Sequence, residues 1–325
     1  MSTTAPAALR AVDMAIDLRK IVALITLINA YDKAGWSPSI DGLSHEWAAS
    51  SAFDPACDLR ALELDGTLIG LARHSWVERP TVVSHRLEVW VHPEHRRLGH
   101  GTALLRWAES SARAAVAENR GGSQGKPHDL AGGGPDSVVP TAGFAAANGF
   151  TAFRYTFEMR RPLGDPIPAA PLPDGIEVRP VAAAHHRTIW DANAEAFRGQ
   201  WDHAEPVEGD FEQFFRNPDL DPTMWQVAWD GDEVAGLVMN TIHRQDAELQ
   251  GERAGWIHGV ATRRPWRKRG IAGALLARSL VVLREHGMDV AELGVDSENP
   301  AGALGLYERF GFKPRRRWVV YRKPF

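Results

Sequence analysis

Cysteine is nearly missing from the sequence: Cys57 stands alone among 325 residues. One thiol excludes an internal disulfide framework and a cysteine-cluster zinc site, and fits a reducing cytosol. Long apolar runs are missing too. The longest, Ile21 to Ile28 with Thr26 interrupting, falls well short of the ~20 residues that cross a bilayer. No charged start followed by an apolar core and a small-residue cleavage site precedes it, so no signal peptide is expected. Neither charge is in surplus: 37 Lys and Arg against 41 Asp and Glu leave a formal net charge of -4, which excludes wholesale coating of nucleic acid. Two phosphate-loop signatures are absent, Gly-x-x-x-x-Gly-Lys-Ser/Thr and a Gly-x-Gly-x-x-Gly that opens a strand–helix–strand unit. What remains is 44% hydrophobic and 24% charged, an ordinary globular composition at about twice single-domain length. The expectation is a soluble, cytoplasmic, two-domain protein.

The clearest linker covers residues 161–175, with Pro162, Pro166, Pro168, Pro171 and Pro173. Proline fixes φ and lacks the amide hydrogen, so this stretch is expected to run extended over the surface rather than as helix or inner strand. Gly121 to Pro135, rich in glycine, reads as a mobile excursion inside the first half.

The halves repeat one another. Gly149-Phe150 leads through Arg154 to Met159 into Arg160-Arg161-Pro162, and Gly311-Phe312 leads at the same interval through Arg316 to Tyr321 into Arg322-Lys323-Pro324. Upstream, Asp65-Gly66 between Ala61–Leu64 and Thr67–Gly70 is a hairpin signal, matched by Asp230-Gly231-Asp232 between Val227 and Val234. Each hairpin precedes a strand, a basic loop and an amphipathic helix. In the first copy, Leu87–Val91 runs into His92-Pro93-Glu94-His95-Arg96-Arg97-Leu98-Gly99-His100-Gly101 and a helix from about Thr102 to Ala117. In the second, Trp256–Thr262 runs into Arg263-Arg264-Pro265-Trp266-Arg267-Lys268-Arg269-Gly270-Ile271-Ala272 and a helix to about Leu283. The shared Arg-x-x-Gly-x-(Gly/Ala) at a helix start is an anion site in physical terms: unpaired first-turn amides, the helix dipole, small residues and arginines converge there. A solvated basic collar is the alternative reading.

Beyond Gly270 stands Asn299-Pro300-Ala301-Gly302-Ala303-Leu304-Gly305-Leu306-Tyr307, then Gly311-Phe312. With this segment the sequence resembles the GCN5-related N-acetyltransferase (GNAT) superfamily, whose hallmarks are that loop and a later Asn-x-x-Ala-x-x-Leu-Tyr-x-x-x-Gly-Phe helix. Asn299 to Tyr307 is one residue longer than the common spacing. The resemblance implies an α+β chain of two tandem acyl-CoA N-acyltransferase folds, each a mixed, mainly antiparallel sheet flanked by helices. Residues 1–160 form the first and 176–325 the second.

It also implies acetyl transfer from acetyl-CoA to the primary amine of a small molecule or peptide by direct attack, without a metal. In the second copy the backbone of Val260, Ala261 and Thr262 should meet the pantetheine arm. Arg267, Lys268, Arg269, Gly270, Ile271 and Ala272 should hold the pyrophosphate, and Asn299 should border the cofactor. Tyr307 matches the tyrosine that protonates the thiolate; a residue sealing helix to sheet is the alternative. Trp256, His258, Val260 and Thr262 share a face by strict alternation, which makes His258 a candidate base or else a hydrogen-bonded core histidine. Asp191, Glu195, Asp296 and Glu298 are weaker candidates. Nine acids between Asp191 and Asp221, beside five basic residues in Arg263–Arg269, lean toward a cationic acceptor.

In the first copy Val89, Val91, Arg96, Arg97, Gly99 and Gly101 occupy the matching cofactor positions, but Ala145 stands where Tyr307 does. Its next strand should fall near 121–140, where glycine and proline dominate. The first half is therefore expected to lack acid catalysis. Tandem length and Asn193-Ala194-Glu195-Ala196-Phe197 also resemble the mycothiol synthases, which acetylate a cysteinyl glucosaminyl-inositol; their catalytic glutamate falls where Trp256 stands. A non-catalytic acyl-CoA-binding protein is the remaining alternative.

Overall fold

The computed structural model describes residues 6–325 except 35, 50, 51, 121, 123, 124, 202, 208, 218, 219, 243–251, 300 and 301. Two compact units emerge: Met1–Arg154 with Val319–Phe325, and Tyr155–Trp318. The described chain is a mixed sheet flanked by helices in each.

In the first unit β1 (Ala8–Arg10), β2 (Leu59–Leu64), β3 (Thr67–Glu78), β4 (Val83–Val91) and β5 (His128–Pro135) lie side by side in that order. All neighbours are antiparallel except β4 and β5. Asp65 and Gly66 close the β2–β3 hairpin at φ 48° and 77°, the paired left-handed turn that Asp-Gly favours. Helix α1 (Met14–Tyr31) starts at Asp13, whose carboxylate caps the Ala15 amide, and buries Ile21, Leu24, Ile25 and Ile28 with α2 (Ile40–Ala49) against Ala61 and Leu71. Helix α4 (His100–Ala117) buries its predicted stripe of Leu104, Leu105, Ala108, Ala112 and Ala115 on the sheet. Helix α5 (Val139–Ala147) carries Ala145.

The glycine-rich stretch is not the loop that composition suggests. Gly132, Gly133 and Gly134 lie inside strand β5 because neighbours press on them. A Cβ would stand 3.1 Å from the Leu87 carbonyl oxygen at Gly132, 3.0 Å from that of Val319 at Gly133 and 3.2 Å from Thr141 at Gly134. Glycine here serves close approach rather than mobility. Strand β6 (Thr151–Pro162) corrects a second expectation. Arg161 and Pro162 pair with Ala291 and Val290, so the linker begins as inner strand. Arg161 is 1% exposed and donates to the carbonyls of Pro162, Asp165 and Pro166, which fastens the proline segment as it leaves.

In the second unit the order is β6, β11 (Val290–Asp296), β10 (Ala254–Thr262), β9 (Glu233–Ile242), β8 (Gln226–Asp230) and β7 (Ile176–Arg179), with only β10 and β11 parallel. Helix α6 (His186–Phe197) and the short α7 (Asp210–Phe215) pack with Trp225, Trp229 and Leu237 on one face. Helix α8 (Ile271–Glu285) packs with Ile257, Leu293, Phe310 and Phe312 on the other, joined by Tyr307 of α9 (Ala303–Arg309). The last strand, β12 (Lys313–Pro324), supplies residues to both units: Arg315 pairs with Glu158 in the second, while Arg322 pairs with Asp129 at 2.5 Å in the first. Thus β6, which closes the first repeat in sequence, completes the second unit, and Val319–Phe325 completes the first.

A buried polar chain runs through the first unit. From Asp58, at the end of α3 (Pro55–Asp58), His74 lies at 3.3 Å, His85 at 3.0 Å from His74 and His128 at 2.9 Å from His85. Burial, with His74 and His128 alongside, pushes the His85 imidazole down to about 3. A histidine kept neutral in the fold takes up a proton on unfolding below its ordinary value, about 6.5. Its stabilising contribution is whole above that value and is lost as pH falls toward 3. Urea midpoints should therefore decline from pH 6.5 downward, and His85→Gln should flatten that slope.

Candidate active site

Each repeat brings a strand into a basic turn and out into a helix, and the two turns fold alike. The His92 amide donates to Ile69 O at 2.8 Å, and the Arg263 amide to Ala235 O at 3.0 Å. A 3-10 turn follows, Pro93–His95 or Arg264–Trp266. Two residues then take left-handed backbone in each copy: Arg97 (φ 66°) and Gly99 (87°), Lys268 (63°) and Gly270 (88°). Those glycines begin α4 and α8 without a side-chain cap, which leaves the amides of Ile271, Ala272 and Gly273 with no acceptor inside α8. Gathered amides at the positive end of a helix form an anion cradle.

The first arginine of the motif does different work. Arg267 donates to Thr262 O and to Ala196 O, each at 3.0 Å, and so binds the turn to the strand end and to α6. Arg96 likewise donates to Val91 O at 3.1 Å and holds Asp32 with two bonds of 2.7 Å. Lys268 and Arg269 are exposed, and Arg269 lies 3.9 Å from Asp230. In the first copy Asp32 brings a carboxylate to the cradle's edge.

The copies differ in the strand before the turn. The parallel β10–β11 ladder ends at Ile257↔Leu293, although both strands continue. Between His258 and Ala261 the pairing of β10 with β9 slips by one residue, and Gly259 takes φ +57° at this bulge. It is this φ that favours glycine, since the atom nearest to a Cβ there, Met239 Cε at 2.8 Å, is the movable end of a flexible side chain. The bulge breaks the alternation expected of this strand. His258 pairs with Met239 and Ala261 with Leu237 on the α6 face, whereas Val260 packs with Ile257 on the α8 face and Thr262 pairs with Gly236 beside Ile271. Trp256, His258, Val260 and Thr262 therefore do not share a face.

Strand β4 has no such slip: Val89 pairs with Ala72 and Val91 with Gly70 in unbroken register. Its ladder to β5 also ends, at Arg86↔Ala131, but Gly132 then presses on the Leu87 carbonyl. Gly294, the first residue of β11 beyond its last ladder pair, has nothing within 4 Å of where a Cβ would stand. The ladder end is uncrowded there in the second unit, whereas Gly132 lies close against Leu87 in the first. Gly101 is crowded as well, with Phe144 at 3.2 Å from its Cβ position.

Tyr307 is buried at 6% exposure in the core cluster that also holds Ile257 and Leu293, its ring 6.0 Å from that of Phe312, and burial pushes its phenol up to about 12. His258 is exposed on the opposite face of β10, its ring 5.8 Å from Trp256. Two enclosed polar atoms near the bulge have no hydrogen-bond partner among the described residues: Thr262 Oγ1 and Asn193 Oδ1. An acceptor or hydroxyl left so costs about 1–3 kcal/mol.

The remaining candidates are drawn elsewhere. Asp191 pairs with Arg187, Glu195 with Arg263 at 2.8 Å, and Glu205 with Arg198, which spends much of the acidic run on local partners. Asp296 accepts from the Glu298 amide at 3.1 Å in a turn that also contains Asn299, and α9 begins at Ala303. Sequence reasoning missed Asn193, whose orientation no spacing signals. It also missed Glu88, which pairs with Arg73 across β3 as His258 pairs with Met239 across β9. The Glu88 carboxyl is raised by burial despite Arg73 at 3.1 Å.

A family model described as Acetyltransferase (GNAT) family matches residues 21–120 and 186–312. The chain belongs to the GNAT acetyltransferase family. Its two units are thus tandem GNAT domains. A mycothiol acetyltransferase of Streptomyces bingchenggensis is 31% identical over 269 residues, 80% of this chain and 79% of that protein. One of Salinispora tropica is 32% identical over 270 residues, 82% of this chain and 80% of its own. A GCN5-related N-acetyltransferase of known structure from Sphaerobacter thermophilus matches with TM-score 0.73 and 26% identity, covering 98% of this chain and 95% of that one. A tandem GNAT protein from the clavulanic acid biosynthesis pathway shares the fold at TM-score 0.69 and 17% identity over 98% of both chains. Among the described residues, no helix is long and apolar enough to cross a membrane.

The uncrowded ladder end yields a direct test of where this GNAT chain takes its acyl carrier. Gly294→Val puts a branched side chain on the sheet face beside it, and should weaken CoA binding at least tenfold by titration while leaving the melting temperature within about two degrees.

Proposed function

We propose that the second GNAT unit transfers an acetyl group from acetyl-CoA to the primary amine of a small molecule or peptide. The observation that carries this reading is the end of the β10–β11 ladder at Ile257, with uncrowded Gly294 and the Gly259 bulge just beyond it and Tyr307 in the core cluster that holds Ile257 and Leu293. A thioester arm fits there. Thr262 Oγ1 is an unsatisfied hydroxyl beside the turn, and the amides of Ile271, Ala272 and Gly273 offer donors to a pyrophosphate, with Lys268 and Arg269 adding attraction.

When bound, acetyl-CoA supplies an activated acyl carbon: the amine nitrogen forms a C–N bond to it, the C–S bond breaks, and sulfur takes the electron pair. Tyr307 donates its proton to that sulfur and is reset from solvent. With its phenol up at about 12, it remains in the protonated, donating form throughout the neutral range. His258, on the other face, receives the proton that the amine sheds. Asp296 and Glu195 take no part in this reading, since one caps a turn and the other neutralises Arg263. The first unit serves without acid catalysis: Ala145 replaces the tyrosine, β4 has no bulge, and Gly132 lies close against Leu87.

A second reading names the acceptor as a cysteinyl glucosaminyl-inositol. Its support is the 31% identity to mycothiol acetyltransferases over four-fifths of the chain. Trp256 in place of their glutamate leaves the proton to His258. Turnover of acetyl-CoA should be measured by mass against that acceptor, polyamines, aminoglycosides, amino acids and peptide N-termini. Tyr307→Phe should lower kcat about 10²-fold, the usual worth of a positioned acid, with CoA affinity unchanged. Unchanged kcat would remove Tyr307 from the chemistry, and CoA binding without any turnover would leave an acyl-CoA-binding protein.

A further inference from the structure

Asn193 stands four residues before the end of α6, and its Oδ1 is fully enclosed without a partner among the described residues. That atom lies 3.5 Å from the position a Cβ would take on Gly259, with Met239 Cε and Phe197 Cε2 at 2.8 and 3.7 Å from the same point. It therefore faces the bulge of β10, two residues beyond the last ladder pair with β11, behind the flexible end of Met239, which must swing aside for a ligand to reach the oxygen. Other enclosed orphan atoms of the second unit sit differently. Asn240, for example, has its amide nitrogen bonded to Met224 O at 2.7 Å and to Ser279 at 3.2 Å.

An acceptor set in apolar surroundings, with no protein donor in reach, is complementary to a ligand that brings an N–H. On the proposed acetyl-transfer reading, the group that must arrive on this side of the bulge is the acceptor amine. We infer that Asn193 is the residue that binds and orients that amine: its Oδ1 accepts one N–H, which turns the nitrogen lone pair toward the acyl carbon held in the parting. The chemistry of the acceptor atom suits this role. A carboxylate would hold the amine as an ammonium, whose nitrogen has no lone pair to give, whereas a carbonyl oxygen binds the neutral amine without favouring its charge. The geometry selects a primary amine, which keeps an N–H to shed after one is engaged. The bond changes are those of the transfer itself: C–N forms, C–S breaks, the electron pair leaves on sulfur, and the second amine proton departs to His258.

The test uses the full chain with CoA present and cysteinyl glucosaminyl-inositol as the probe amine, with spermidine as a second probe. Asn193→Leu keeps the volume and removes the acceptor. It should raise the amine KM, and the calorimetric Kd of the amine for the CoA-loaded protein, at least tenfold, with Kd for CoA within twofold of wild type. Asn193→Asp retains an acceptor and should keep amine Kd within about threefold, while moving the pH optimum of kcat upward because the bound amine is held charged. Amine Kd and KM unchanged in Asn193→Leu, or an unmoved pH profile in Asn193→Asp, would overturn the assignment. Loss of CoA binding and melting temperature together in Asn193→Leu and Asn193→Ala would make the residue a packing element and overturn it as well. Wild-type protein that neither binds nor acetylates any amine would instead sink the acetyl-transfer reading beneath it.

Discussion

The second GNAT unit depends on the early separation of two parallel strands. Strands β10 and β11 share ladder pairs only from Ala254↔Val290 to Ile257↔Leu293. A parallel pair that stops bonding midway normally strands main-chain amides and carbonyls, which carry a cost if nothing takes them up. Here the bulge at Gly259 follows the last ladder pair by two residues, and Gly294 leaves the sheet face beside it bare. The arrangement exchanges sheet continuity for a slot with a polar rim, and every functional group discussed above is placed with respect to it.

The first unit shows what the same fold looks like with that slot withdrawn. The basic turn is retained nearly bond for bond, down to the arginine that ties it to the strand end. Yet β4 pairs in continuous register, β5 lies against it through three glycines, and the tyrosine position is Ala145. Conserved turn chemistry thus says little about conserved reaction chemistry, since Arg96 and Arg267 first serve their own backbones. Glu88, held with Glu46 by Arg73, occupies the register position of His258 in a unit where Ala145 stands in the tyrosine's place.

Much of this was readable from residue types. The Asp-Gly hairpin, the two basic turns, the stripe of α4 and the place of Tyr307 follow from turn chemistry and periodicity that neighbours reinforce. What escaped the sequence has a common cause, namely backbone departures set by tertiary contact. Alternation places Val260 and Thr262 beside His258 until one extra residue at Gly259 reverses them. The run Gly132–Gly134 has a loop's composition, but it is a strand because Leu87, Val319 and Thr141 leave no room for a Cβ. Prolines hide the strand at Arg161 and Pro162, where the missing amide hydrogen falls at the very end of a ladder. Asn193 stands in a segment that resembles the mycothiol synthases, but its role is signalled only by the enclosure of its oxygen.

The membership of Val319–Phe325 in the first unit has a consequence for biosynthesis. The N-terminal unit cannot close its sheet as it leaves the ribosome, because the segment that covers β5 is made only after the whole second unit. At roughly 5–20 residues per second, β5 remains an uncovered edge for on the order of ten seconds or more. Exposed edges recruit other strands. A strand built on Gly132, Gly133 and Gly134 leaves the backbone of that edge bare, so the last residues to be made are the ones that take up its main-chain groups.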